Sequence, residues 1–172
     1  MAFDDKVAEL VDVLHVCLQT ALAPRPNPPA DVCIIHGEDF RLFLSAGLTE
    51  DRCCSGFAAV RVAGIVPQIP AQGVLEQCGV KTWQINMEMG VARCAPVGDE
   101  NAGPTCAQME NTAQQAYSDM GAMVEALCCF RDGKPGGGLM APTEWQPFGP
   151  EGGCTGGIMG VSVQLDACGC IV

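Results

Sequence analysis

The 172-residue sequence predicts an α+β domain: two amphipathic helices packed on a mainly antiparallel β-sheet. Two observations carry this. Apolar residues recur at helical spacing in two well-separated stretches, one at the start of the chain and one after residue 104. Between and after them, alternation of period two marks half-buried strands, and it is clearest through Lys81–Cys94. Hydrophobic residues make up 48% of the chain, and a single domain of this length buries roughly 70% of the surface its unfolded chain exposes.

The elements follow in order. Phe3, Val7, Leu10, Val11, Leu14, Leu18 and Leu22 share one stripe, and Asp4 and Asp5 sit where a helix N-terminus favours negative charge. The proline-rich run PRPNPP at 24–29 ends that helix. DVCIIHG is a short strand candidate. GFAAVRVAGIV (Gly56–Val66) reads as a strand stopped by Pro67 and Pro70. In Lys81–Cys94, Trp83, Ile85, Met87, Met89 and Val91 face one way, while Thr82, Gln84, Asn86 and Glu88 present a polar face to solvent or to another subunit.

Thr105 is placed to cap a long helix through about Arg131, with Met109, Ala113, Ala116, Tyr117, Met120, Val124 and Leu127 as its expected apolar stripe. The glycine- and proline-rich KPGGGLMAPTEWQPFGPEGGC reads as a long loop. A last strand follows, in which Met159, Val161, Val163, Leu165 and Ala167 alternate with Gly160, Ser162, Gln164 and Asp166. One domain is expected over 1–172, with loop insertions near 37–56 and 133–153.

Charge and composition narrow the function. The net charge is −11, and the nine basic residues are scattered singly, so the clustered Lys and Arg that release counterions from nucleic acid are missing. No apolar run approaches the roughly 18 residues of a membrane span. The acidic, amphipathic start MAFDDKVAEL lacks the basic and apolar regions of a signal peptide, so synthesis in the cytosol is expected.

Twelve cysteines sit uneasily with that compartment, where disulfides rarely persist. Three readings stay open. Thiols can pack as small hydrophobes, notably Cys17, Cys106, Cys128 and Cys129 in helical surroundings. Cys33-x-x-His36 with Cys168-x-Cys170 can supply four zinc ligands, although paired C-x-x-C knuckles are absent. Or the protein is made inside a cell and oxidised outside it.

Catalytic chemistry finds little support. His15 lies beside the first helix's apolar stripe. A Cys33–His36–Asp39 arrangement fails on parity, because Cys33 and His36 leave opposite faces of a strand. KPGGGL and EGGCTGG lack the GxxxxGK[ST] spacing of a phosphate loop and read as flexible loops. No enzyme activity, catalytic residue, metal or cofactor is expected.

The order of elements, the phrase TWQINMEMGVARCAPV before the long helix and the ending WQPFGPEGGCTGGIMGVSVQLDACGC resemble a known family. It comprises the tail terminators and related head-to-tail connector proteins of long, non-contractile-tailed (siphovirus-type) bacteriophages, especially those of actinobacteria. The resemblance spans nearly the whole chain. It implies a structural virion protein at the head–tail junction, made in the host cytoplasm, that forms a ring, typically hexameric. The ring would cap the tail tube, contact the tail tube protein and dock to a head-side connector or stopper. Genomic DNA would pass through its channel without tight binding, with no membrane involved. An adaptor or stopper is the neighbouring alternative, and a cysteine-rich zinc-binding interaction module is the alternative of another class.

Strand geometry adds an expectation for the cysteines. If Gly56–Val66 and the last strand each pair antiparallel with Lys81–Cys94, then Cys53 or Cys54 and Cys154 approach Cys94, while Cys168 and Cys170 approach Cys78. Neighbouring strands lie about 4.7–4.9 Å apart, within disulfide range.

Overall fold

The computed structural model describes residues 2–37, 54–68, 82–98, 103–134, 138–151 and 153–166. The first helix, α1 (Phe3–Leu22), has the expected bounds and buries Leu10, Val11, Leu14, Cys17, Leu18, Ala21 and Leu22. Its first turn is held by the Ala2 N–H, which donates to Asp5 Oδ2 at 3.0 Å. After the proline-rich connection come β1 (Asp31–Ile34), β2 (Phe57–Gln68) and β3 (Thr82–Cys94). The long helix α2 (Cys106–Gly133) follows, and then β4 (Met140–Glu151) and β5 (Cys154–Asp166).

The five strands form one sheet in the order β1-β2-β3-β5-β4, antiparallel throughout except for the parallel β1–β2 pair. β2 is paired by β1 only from Phe57 to Val60, so further along it is an edge strand among the described residues. That position tolerates Pro67, which cannot donate to a ladder.

Both helices pack on one face of the sheet. Leu10, Leu14, Leu18 and Leu22 of α1 and Met123, Ala126 and Phe130 of α2 meet Ile85, Met87, Met89 and Val91 of β3 and Val161 and Val163 of β5. The alternation in β3 thus has its expected sense. The helix order also explains the burial, since two helices can cover only one side of a five-stranded sheet.

Three expectations are corrected. Residues 140–151 are not a loop insertion but β4, an outer strand paired antiparallel with β5. Pro142, Pro147 and Pro150 disguised it. An outer strand needs ladder hydrogen bonds on one side only, so prolines are tolerated where a central strand would exclude them. The insertion near 37–56 lies mostly outside the described residues.

Second, Gly156 and Gly157 are strand residues rather than a flexible loop. A Cβ on Gly157 would lie 2.1 Å from Trp145 Nε1, and one on Gly156 would lie 1.9 Å from the Val91 carbonyl oxygen and 2.9 Å from Phe148 Cζ. Their bare backbone lets two aromatic rings of β4 lie across β5. Gly156→Ala is expected to cost about 1–3 kcal/mol by overpacking, read as a lower urea midpoint. An unchanged midpoint would mean that the strands separate here at no cost.

Third, the buried face of α2 is Asp119, Ala122, Met123, Ala126, Leu127 and Phe130; of the expected stripe Leu127 belongs to it and Met120 packs against the core, whereas Met109, Tyr117 and Val124 are exposed. The helix carries apolar residues on two sides, and only its C-terminal half rests on the sheet. Its start is as expected: Thr105 Oγ1 accepts from the Gln108 N–H at 3.3 Å, and Gln108 Oε1 accepts from the Thr105 N–H at 2.8 Å. Thr105→Ala is expected to cost about 1 kcal/mol, measured by thermal unfolding.

Candidate functional site

The cysteines at one end of the sheet are the first group of sequence-predicted site residues. Antiparallel pairing sets Phe57 opposite Ala92 and Cys94 opposite Cys154. The strand starts of β2 and β5 therefore lie beside the end of β3. Cys54, just before β2, is bonded to Cys94 with a Cα–Cα distance of 4.2 Å. Cys154 is fully buried and is also in a disulfide. It belongs to a small apolar cluster with Phe57, Ala59, Ala92 and Phe148, against which Cys33, Ile35 and Ile158 pack. This cluster covers that end of the sheet on the side away from the helices. Cys53, Cys78, Cys168 and Cys170 lie outside the described residues, as does Asp39.

A second bridge has no counterpart in the sequence reading. Cys17 of α1 is bonded to Cys129 of α2, with Cα atoms 5.7 Å apart, so these two are not packed thiols. Cys106 and Cys128, also expected to pack, are instead free and exposed. Two helices on one sheet face bring one side of each together, and Cys17 and Cys129 happen to meet there. Periodicity identifies faces but not the relative register of two helices, so the pair was invisible. Cys128 does not bond its neighbour Cys129, as the angular offset of adjacent helical residues requires.

Away from the cysteine end, the open sheet face turns polar. Gln68 Nε2 donates to Gln84 Oε1 at 2.9 Å, and Gln84 Nε2 donates to Asn86 Oδ1 at 2.9 Å. The Ser162 hydroxyl donates to Asn86 Oδ1 at 2.7 Å. Thus β2, β3 and β5 are linked side chain to side chain on a half-buried surface. Next in line, Arg61 and Glu88 stand directly opposite each other. Arg61 Nε and Nη2 donate to Glu88 Oε2 at 2.9 and 2.6 Å, and Nη1 donates to the Gly37 carbonyl at 2.6 Å. A shallow cleft of about 220 Å³ beside it is lined by Asn86, Glu88, Thr143, Glu144, Gln146 and Ser162. Its polar groups are mostly committed to one another, which suits a fixed contact surface better than a reactive site.

On the helix side, Arg93 grips Asp119 in a two-point pair. Nε donates to Oδ2 at 2.9 Å, Nη2 donates to Oδ1 at 2.7 Å, and Nη1 donates to the Asn27 carbonyl at 2.6 Å. Asp119 is only 3% exposed. This fork ties β3, α2 and the α1–β1 connection together. Gly56, at φ 78°, clears the guanidinium, since a Cβ there would lie 2.6 Å from Arg93 Nη1. The signal for it was available: Asp119 falls on the same side of α2 as Ala122, Met123 and Ala126. At the far end of α2, Arg131 is exposed. Its pKa is raised, chiefly by the hydrogen bond to Asp132 and then by the charges of Asp132 and Cys128.

Among the described residues, neither histidine sits in a reactive arrangement. His15 Nε2 donates to the Val32 carbonyl at 2.9 Å, tying α1 to β1. His36 is exposed and lines the groove between α1 and the β1 edge, whereas Cys33 packs on the other side of the sheet. Among the described residues no group of three or more His, Cys, Asp or Glu is placed to hold a metal ion. No described helix is long and apolar enough to cross a membrane.

No protein-family model matches the sequence, and no curated protein is similar to it.

Proposed function

We propose that the chain is a ring-forming structural protein of a long-tailed bacteriophage, acting at the head–tail junction as the tail terminator. The observation that carries this reading is the two-sided sheet. One face is buried under α1 and α2. The other presents an internally hydrogen-bonded polar surface through Gln68, Gln84, Asn86 and Ser162 beside the Arg61–Glu88 pair. Such a face has its polar groups already satisfied, so it can be covered by a neighbouring subunit at little desolvation cost.

Two further features fit the reading. The net charge of −11 makes a channel lined by this protein repel passing DNA rather than bind it. The disulfides suit a particle that is assembled in a cytosol and then persists in oxidising surroundings. A ring of this kind needs neither catalytic group nor cofactor. Its partners would be further copies of itself, six in all, the tail tube protein and a head-side connector or stopper. An adaptor or stopper uses the same features at a neighbouring level of the stack.

Two measurements test this. Mass photometry of the purified protein, alone and with tail tubes, should show closed oligomers, and a strictly monomeric protein that ignores tubes would contradict the reading. Isolated protein should show negligible duplex-DNA binding at moderate salt, because it lacks clustered bases. Tight, salt-sensitive binding would contradict the non-adhesive channel.

A further inference from the structure

Three cysteines meet at the end of the sheet where β3 finishes and β2 and β5 begin. Cys94 stands directly opposite Cys154 in the β3–β5 ladder. The Ala95 N–H donates to the Gly153 carbonyl at 2.8 Å, which makes Cys94 and Cys154 a non-hydrogen-bonded pair. Such a pair holds its Cα atoms about 4.5 Å apart and brings its two side chains close together on one face. That spacing is within disulfide range. Yet the two are not bonded to each other. Cys94 is bonded to Cys54, and Cys154 to a different cysteine. Two disulfides therefore lie side by side, with one sulfur of each at the same register position.

The three positions differ in access. Cys54, just before β2, is exposed, Cys94 is half-buried and Cys154 is fully buried. A thiol arriving from solvent meets the Cys54 sulfur first, and the group it displaces is the Cys94 thiolate on the inner side. The Cys154 sulfur, packed among Phe57, Ala59, Ala92 and Phe148, is closed to solvent but adjacent to Cys94. Cys33, the free thiol packed on the same cluster, does not compete. It stands opposite Ala59, which stands opposite Gly90. That places it two strands across and four residues along from Cys94, about 16 Å away and out of reach.

We propose that these cysteines form a relay, which moves the staple at this end of the sheet from β2–β3 to β3–β5 when the protein meets a low-molecular-weight thiol such as glutathione. The glutathione thiolate attacks the Cys54 sulfur, forms a mixed disulfide there and expels the Cys94 thiolate. The Cys94 thiolate then attacks the Cys154 sulfur, forms a Cys94–Cys154 bond and expels the thiolate of the cysteine that Cys154 held before. Two disulfides enter and two leave, so no oxidant or reductant is consumed. The proton lost by glutathione ends on the displaced cysteine.

The two states hold different strands. In the first, the start of β2 is tied to β3. In the second, β3 is tied to β5, and β2 is held at this end by its ladder and by Phe57 in the apolar cluster. The new bond contains a fully buried sulfur, so an outside thiol can reach it only from the Cys94 side. The change is also reversible. The displaced cysteine attacks Cys154, and the released Cys94 thiolate expels glutathione from Cys54.

The test is to incubate the full-length protein under native conditions with a mixture of reduced and oxidised glutathione, quench at intervals by alkylation and map the disulfide-linked peptides. A Cys94–Cys154 peptide should appear in step with glutathione on Cys54, while the Cys17–Cys129 bridge stays intact. The variant Cys54→Ser, in which Cys94 has lost its partner, should carry the Cys94–Cys154 bond with no thiol added and leave Cys94 protected from alkylation. Absence of the Cys94–Cys154 peptide from both proteins would overturn the relay, as would Cys94 becoming alkylated while Cys154 keeps its original partner.

Discussion

Replacing Cys17 and Cys129 together by alanine is expected to lower the unfolding free energy by about 3–5 kcal/mol. The bridge joins the only two helices described, across a sequence separation of 112. Closing a loop of that order restricts the unfolded chain by roughly 4.7 kcal/mol. The Cys54–Cys94 bridge lies within the same stretch and already restricts part of it, which moves the expectation toward the lower end. Cys17 is also buried against α2, so alanine leaves a small void as well. Urea unfolding of oxidised wild type and variant measures the difference. A loss under 1 kcal/mol would mean that the helices are held by packing alone.

The second large effect is at the Arg93–Asp119 fork. Asp119→Ala removes the carboxylate that Arg93 contacts at two points and leaves a guanidinium largely buried without its counter-charge. Breaking a buried pair from one side costs about 3–5 kcal/mol. The Asn27 carbonyl still accepts from Arg93, so the α1–β1 connection keeps one anchor. Replacing both partners, as in Arg93→Met with Asp119→Leu, should recover most of the loss, because the pair's own attraction barely exceeds its desolvation. The double-mutant cycle in urea separates these terms. A double variant as unstable as Asp119→Ala would show that shape, not charge, governs the site.

How much of this was legible depends on what each signal encodes. The α1 bounds were readable because one unbroken apolar stripe meets a proline run that stops it. β3 was readable because its alternation matches a sheet covered on one side. β4 was not, since its prolines and glycines carry the composition of a loop. Only its place at the sheet edge makes Pro142 and Pro147 acceptable, and edge position is a property of the whole sheet. The inner face of α2 was misread because the helix has two apolar sides, and periodicity alone does not say which one meets the core.

The same distinction runs through the cysteines and the polar groups. The nearness of Cys54 to Cys94 follows from antiparallel register, which strand patterns and a connection between them can suggest. The Cys17–Cys129 bridge depends on how two helices dock, which no local pattern encodes. Arg61 opposite Glu88 belongs to the first kind and Arg93 with Asp119 to the second.

The central claim, a ring at the junction of head and tail, is tested most directly by cryo-electron microscopy of virions carrying this protein. The account predicts closed rings of the two-layer domain between tail tube and head connector, with the Gln84–Asn86–Ser162 face of each subunit covered by a neighbour. Virions whose head–tail junction contains no copy of this domain would contradict it.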